Sequence, residues 1–172
     1  MATRRFRILE TSIGAVGYVA DERLRLQRLI LPMRSSSAVR TAVKRRYGTA
    51  VEDSGLMPGF AKQLSGYLAG RPARLEVAID WRPFPQFQRS VLKACAKIPA
   101  GRTRSYGQLA ASIGHPAASR AVGQALGANP IPLVIPCHRV VRTDGGLGGF
   151  SAAQGIALKR KLLKLEECSG LA

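Results

Sequence analysis

A cysteine followed at once by a histidine and an arginine, within Pro136-Cys137-His138-Arg139-Val140, is the group in this chain best equipped for chemistry. It ends the apolar run Ile131-Pro132-Leu133-Val134-Ile135. The thiolate is the nucleophile, and a free cysteine is mostly protonated at neutral pH. Burial alone raises a thiol's pKa. An imidazole and a guanidinium nearby are groups that take the proton or offset the charge. The pattern therefore reads as an activated thiol in a mostly apolar pocket. A lone Cys-His pair also fits a buried cysteine beside a surface histidine, and local cysteine signatures transfer poorly between families.

The flanking residues decide between these. Asn129-Pro130 leads into the apolar run, and the glycine-rich Asp144-Gly145-Gly146-Leu147-Gly148-Gly149-Phe150-Ser151 follows it. Upstream stand Ile98-Pro99-Ala100-Gly101-Arg102-Thr103-Arg104-Ser105-Tyr106-Gly107-Gln108 and Arg120-Ala121-Val122-Gly123. Downstream stands Lys159-Arg160-Lys161-Leu162-Leu163-Lys164-Leu165-Glu166. Together these segments resemble, in order, those of the O6-alkylguanine-DNA alkyltransferases (methylated-DNA–protein-cysteine methyltransferases), whose hallmark pentapeptide is present intact. The resemblance runs from about residue 84 to residue 167 and is weak before that. Pro85-Gln86-Phe87-Gln88 and Leu92 depart from the usual pattern, outside the chemistry.

The resemblance implies direct-reversal DNA repair, in which an alkyl group moves irreversibly from O6 of guanine, or O4 of thymine, to Cys137. His138 would act as base through a water, Glu166 would orient it, and Tyr106 would donate a proton to the leaving base. Arg120 would fill the space of a flipped nucleotide, within a helix that enters the minor groove through Ser119 and the small residues Ala121, Gly123, Ala125 and Gly127. Asn129 would be the hinge. Pro132, Val140, Ser151 and Arg139 would belong to the base pocket and its surroundings. The implied partner is double-stranded DNA carrying O6-alkylguanine, bound by a monomer. No cofactor is implied. Some family members hold zinc in the first domain, but residues 1–80 contain neither Cys nor His, so no metal is expected.

Competing readings stay on the table. A non-catalytic lesion sensor would leave Cys137 without a purpose. A DNA-binding regulator would leave residues 136–140 unexplained. A Cys-His hydrolase would need an oxyanion hole and would not call for Arg120.

Composition agrees, less sharply. The chain has 172 residues, 27 Lys and Arg against 10 Asp and Glu, and a net charge of +17. No acidic residue lies between Asp80 and Asp144, the footprint expected of a polyanion binder. Charge alone does not separate DNA, RNA and anionic membrane. Three cysteines without a pairing pattern suit a reducing compartment. No apolar run approaches the ~20 residues of a membrane span. The charged start lacks the apolar core of a secretory signal. Cytoplasm, with association to the nucleoid, is the expected location.

These residues need elements to hold them, and the expected class is α+β. Residues 1–82 read as a small antiparallel-sheet and helix domain: strands over 6–11, 16–20 and 26–31, a basic helix over 38–47, a second helix after Pro58 and a fourth strand over 75–79. Residues 83–172 read as a mainly helical, winged-helix-like domain that binds DNA and accepts the alkyl group. There Phe84, Phe87, Val91, Cys95 and Ile98 form one helical face. Ser105 caps a helix through Ile113, and a second helix over 117–128 completes a helix-turn-helix.

Overall fold

The computed structural model describes residues 3–168. The fold is α+β, in two compact units divided after Asp80. Among the described residues, no helix is long and apolar enough to cross a membrane.

The first unit is a sheet with two helices. Strands β1 (Arg5–Thr11), β2 (Gly14–Ala20) and β3 (Leu26–Met33) form an antiparallel meander. Asp21 organises the β2–β3 turn by accepting from the N–H groups of Arg23 and Arg25 at 3.0 and 2.9 Å. The sheet is mixed rather than purely antiparallel, because a two-residue strand, β4 (Val51–Glu52), pairs in parallel with β1. Helix α1 (Ser36–Arg46) lies between β3 and β4 in sequence. Ser35 caps it, and Lys44, Arg45 and Arg46 in its last turn complement the helix dipole. Its Val39 and Val43 pack on Phe6, Ala15 and Val19. The helix approaches the sheet so closely that a Cβ on Gly17 would lie 2.5 Å from Val39. Helix α2 (Pro58–Leu68) opens on a proline, which suits the first turn, and buries Phe60, Leu64, Tyr67 and Leu68. The expected strand over 75–79 is absent among the described residues. Alternation is there, but the backbone makes a single bridge, Ile79 to Leu26.

The second unit is mainly helical. Helix α3 (Gln86–Ala96) buries Val91, Leu92 and Cys95, with Phe84 and Ile98 buried at either side. Phe87 is half-buried and meets His115 edge-on, with ring centroids 5.6 Å apart. Strand β5 (Arg104–Ser105) leads into helix α4 (Tyr106–Ser112), where Ser105 and Gln108 form a reciprocal capping box. Helix α5 (Ser119–Gly127) begins two residues later than expected. Ala117 and Ala118 still belong to the turn, in which Ala118 N–H donates to the His115 carbonyl. A 3₁₀ turn (Cys137–Arg139), strand β6 (Val140–Val141) and helix α6 (Gly155–Cys168) complete the unit. β6 pairs in parallel with β5, Arg104 to Val140 and Ser105 to Val141. This short pairing links the strand before Tyr106 to the strand after Cys137-His138-Arg139.

Candidate active site

Cys137 opens the 3₁₀ turn and is half-buried. The turn is set from upstream. Asn129 Oδ1 accepts from Ile131 N–H at 3.0 Å, and its Nδ2 donates to the Ile135 carbonyl at 2.9 Å. One side chain thus staples both ends of the apolar run, and Pro132 is buried inside it. Burial pushes the Cys137 thiol up; the nearby Asn129 amide, the Lys159 charge and the local N–H groups pull against it.

His138 is fully buried, and its Nε2 lies 2.8 Å from Glu166 Oε1. With Glu166 ionised, the proton lies on Nε2 and the lone pair on Nδ1. Burial holds His138 below the usual imidazole range, opposed by Glu166 and assisted by the charges of Arg139 and Lys159. Arg139, expected around the base pocket, is engaged by Glu166 and the Ile98 carbonyl. Its Nε lies 3.1 Å from both Glu166 oxygens, its Nη2 lies 2.7 Å from Oε1, and its Nη1 donates to the Ile98 carbonyl. A buried carboxylate draws in the nearest guanidinium. Glu166 also accepts from Gly101 N–H at 3.3 Å.

Lys159 is the site residue that sequence reasoning passed over. Its side chain is fully buried, and Nζ donates to the Val140 carbonyl at 2.6 Å. It sits 5.9 Å from the centre of the Tyr106 ring. Burial lowers its pKa, while Cys137 and Cys95 act to raise it. Lys159, Leu162 and Glu166 share one face of α6 at i, i+3, i+7 spacing, and it is the burial of that face that sets Lys159 apart from the other basic residues of the helix. The carbonyl of Val140, a residue expected in the base pocket, therefore already has one donor, and its second lone pair is left.

Tyr106 starts α4, half-buried, and burial raises its phenol pKa, with Cys137 and Cys95 adding to the effect. The glycine-rich loop closes on it. Gly148 has φ of +70°, and a Cβ there would lie 2.8 Å from the Tyr106 hydroxyl, so both conformation and space require glycine. On the other side, a Cβ on Gly123 of α5 would sit 3.8 Å from the Tyr106 ring. Ser151 Oγ lies beside the end of α5, 3.6 Å from where a Gly127 Cβ would be. A cleft bounded by Arg142, Leu147, Gly148, Gly149 and Ile156 adjoins this loop.

Helix α5 presents two faces. Val122, Ala125 and Leu126 are buried, whereas Ser119, Arg120, Gln124 and Gly127 are exposed. Ala125 is 8% exposed and thus lies on the packed side rather than on a surface open to DNA. Gln124 joins Arg120 and Gly127 at i, i+4, i+7 spacing, a residue not singled out from sequence. Ala121 and Gly123 flank that stripe, half-buried. Among the described residues, no cluster of three or more His, Cys, Asp or Glu is gathered to hold a metal.

A family model described as 6-O-methylguanine DNA methyltransferase, DNA binding domain, matches residues 86–168. The methylated-DNA–protein-cysteine methyltransferase of Mycobacterium tuberculosis is 47% identical over 115 residues, 67% of this chain and 68% of the relative. The inducible methylated-DNA–protein-cysteine methyltransferase of Bacillus subtilis is 40% identical over 117 residues, 68% of this chain and 64% of the relative. The crystal structure of Mycobacterium tuberculosis O6-methylguanine methyltransferase matches with a TM-score of 0.79 at 36% identity, covering 99% of this chain and 95% of that one. The structure of Mycobacterium tuberculosis OGT in complex with DNA gives a TM-score of 0.79 at 38% identity, covering 98% and 94%. A Pro-Cys-His-Arg-Val segment folded against a helix-turn-helix, and relatives alike in sequence and in fold, agree on one assignment: the chain belongs to the methylated-DNA–protein-cysteine methyltransferases, the O6-alkylguanine-DNA alkyltransferase family.

Proposed function

We propose that this protein repairs alkylated duplex DNA by moving the alkyl group from O6 of guanine to Cys137, once per molecule. The observation that carries this is the buried His138–Glu166 pair directly after Cys137 in the same 3₁₀ turn, with the buried Lys159 beside Tyr106. Residues 83–172 supply DNA binding and chemistry, and residues 1–82 form a support domain. The protein works as a monomer in the cytoplasm, at the nucleoid when bound to DNA.

A base inside a duplex is out of reach of a half-buried thiol, so the nucleotide turns out of the stack at a cost of a few kcal/mol. Helix α5 docks through Ser119, Gly123 and Gly127 in the minor groove, and the exposed Arg120 takes the vacated place. In the pocket, His138 Nδ1 accepts the Cys137 proton through a water, with Glu166 holding the ring. The Lys159 ammonium offsets the thiolate charge. The sulfur then attacks the alkyl carbon; the C–S bond forms as the C–O bond breaks. Tyr106, whose raised pKa keeps its proton in place, donates as the guanine anion departs, a contribution of roughly 10²-fold or more. The proton lost by Cys137 returns through His138 and the phenol, which balances the reaction. Guanine leaves unmodified. The thioether has no easy hydrolysis route, so the acceptor stays spent.

The experiment counts turnovers. With lesion DNA in tenfold excess, nucleoside analysis should show loss of O6-methylguanine equal to the amount of protein, then no more. Continued conversion would point to a hydrolase, and DNA binding without conversion to a lesion sensor.

A further inference from the structure

The Glu166 carboxylate faces two cations' worth of donors. His138 Nε2 reaches Oε1 at 2.8 Å, and the Arg139 guanidinium covers both oxygens from its Nε and Nη2. Glu166 is fully buried, and the Arg139 side chain is 12% exposed. If Glu166 faced His138 alone, an uncompensated buried carboxylate would pull a proton onto the imidazole and hold it there. A histidine already protonated takes no proton from a thiol. We propose that Arg139 is a positioning residue that clamps Glu166 and cancels its charge, so that Glu166 aims the imidazole without trapping it as imidazolium.

This rests on the alkyl-transfer reading for its consequence but not for its geometry. The direction of the His138 shift agrees, since burial and the Arg139 charge both act to lower it. The other charged or titratable groups around the imidazole are Lys159, from the same helix as Glu166, and Cys137 beside it in the 3₁₀ turn; Cys95 of α3 couples to Cys137 and Arg139. Arg139 also ties the loop before β5. Its Nη1 holds the Ile98 carbonyl while Glu166 holds Gly101 N–H, so one clamp fixes the base and the segment leading to Ser105 and Tyr106.

The chain has two histidines, so ¹⁵N-histidine NMR resolves His138 from His115 without any activity assay. In Arg139→Gln, the His138–Glu166 pair should take up a proton at higher pH than in wild type, and Arg139→Lys should bring the titration back. Single-turnover transfer by Arg139→Gln should fall roughly tenfold near pH 6.5 and recover toward wild type at alkaline pH, a moved acid limb rather than a uniform loss. A folded Arg139→Gln protein that titrates as wild type, or an Arg139→Lys protein that titrates like Arg139→Gln, overturns the proposal. If Arg139→Gln does not fold, Glu166→Gln serves instead: with Arg139 then unopposed, His138 should titrate lower, and an unchanged titration overturns the proposal. Failure of wild-type transfer with the NMR shifts as expected would refute the repair reading and leave the charge clamp standing.

Discussion

The interiors of the two units are both mainly apolar but differ in the charge they bury. In the first, Phe6, Val19, Val39, Val43, Leu64 and Leu68 fill the space between sheet and helices, and the buried carboxylates Asp21 and Asp80 lie at its turns and end. In the second, His138, Lys159 and Glu166 are fully buried in one place, beside a half-buried thiol. Burying ions costs stability that good pairing only partly repays. A fold that needed only to hold together would fill those positions with leucine. The contrast says that packing alone accounts for the first unit's core, whereas the second adds to its apolar core a buried charged group that packing does not call for.

The comparison breaks most visibly at Cys137. Cys137→Ala should abolish transfer, with duplex affinity retained in a gel-shift titration. Next comes the support behind it. Glu166→Gln should slow single-turnover transfer by roughly 10²-fold. Leu64→Ala in the first unit should instead cost about 2–5 kcal/mol in denaturant unfolding and leave the folded protein's transfer rate unchanged. If Leu64→Ala slows transfer as much as Glu166→Gln, the separation of packing from chemistry fails. Arg120→Ala should reduce transfer from duplex DNA by roughly tenfold, yet leave reaction with free O6-benzylguanine intact, because a free base needs no flipping.

Acid should sharpen the contrast further, with a smaller effect. His138 is held below its ordinary pKa, chiefly by burial. As pH falls through about 6.5, the unfolded chain takes up a proton that the folded site resists. The unfolded state then binds more protons, so stability falls until the folded group also titrates. The first unit has no histidine. At Asp21, burial raises the pKa, but bonds from Arg25 and Arg23 more than offset it and the net shift is downward. Its contribution is lost only as pH falls below about 4. Between these limits, amide exchange corrected for intrinsic rates should speed up in the second unit and hold steady in the first.

Legibility in sequence followed the same division. The chemistry-bearing half could be read because its segments are unusual together: Cys beside His, a glycine-rich stretch after them, an Asn before an apolar run. Asn129 needed the fold to show how one amide staples residues 131 and 135. Lys159 stayed hidden because a lysine in a basic helix reads as solvated, and only the burial of the α6 stripe says otherwise. In the first half the class was legible but the details were not. β4 is two residues long, too short to carry a period, and its parallel pairing with β1 depends on where α1 returns the chain. Residues 75–79 alternate like a strand, yet the backbone bonds nearby are those linking Leu26 with Ala78 and Asp80.

The central claim is that Cys137 is the atom-for-atom destination of the alkyl group. The most direct measurement is the intact mass of the protein after mixing with duplex DNA carrying O6-methylguanine, followed by peptide mapping, beside Cys137→Ala. The account predicts a gain of one methyl group, on the peptide containing Cys137, and none in the variant. An unchanged wild-type mass with the lesion consumed, or a methyl group on Cys95, would contradict it.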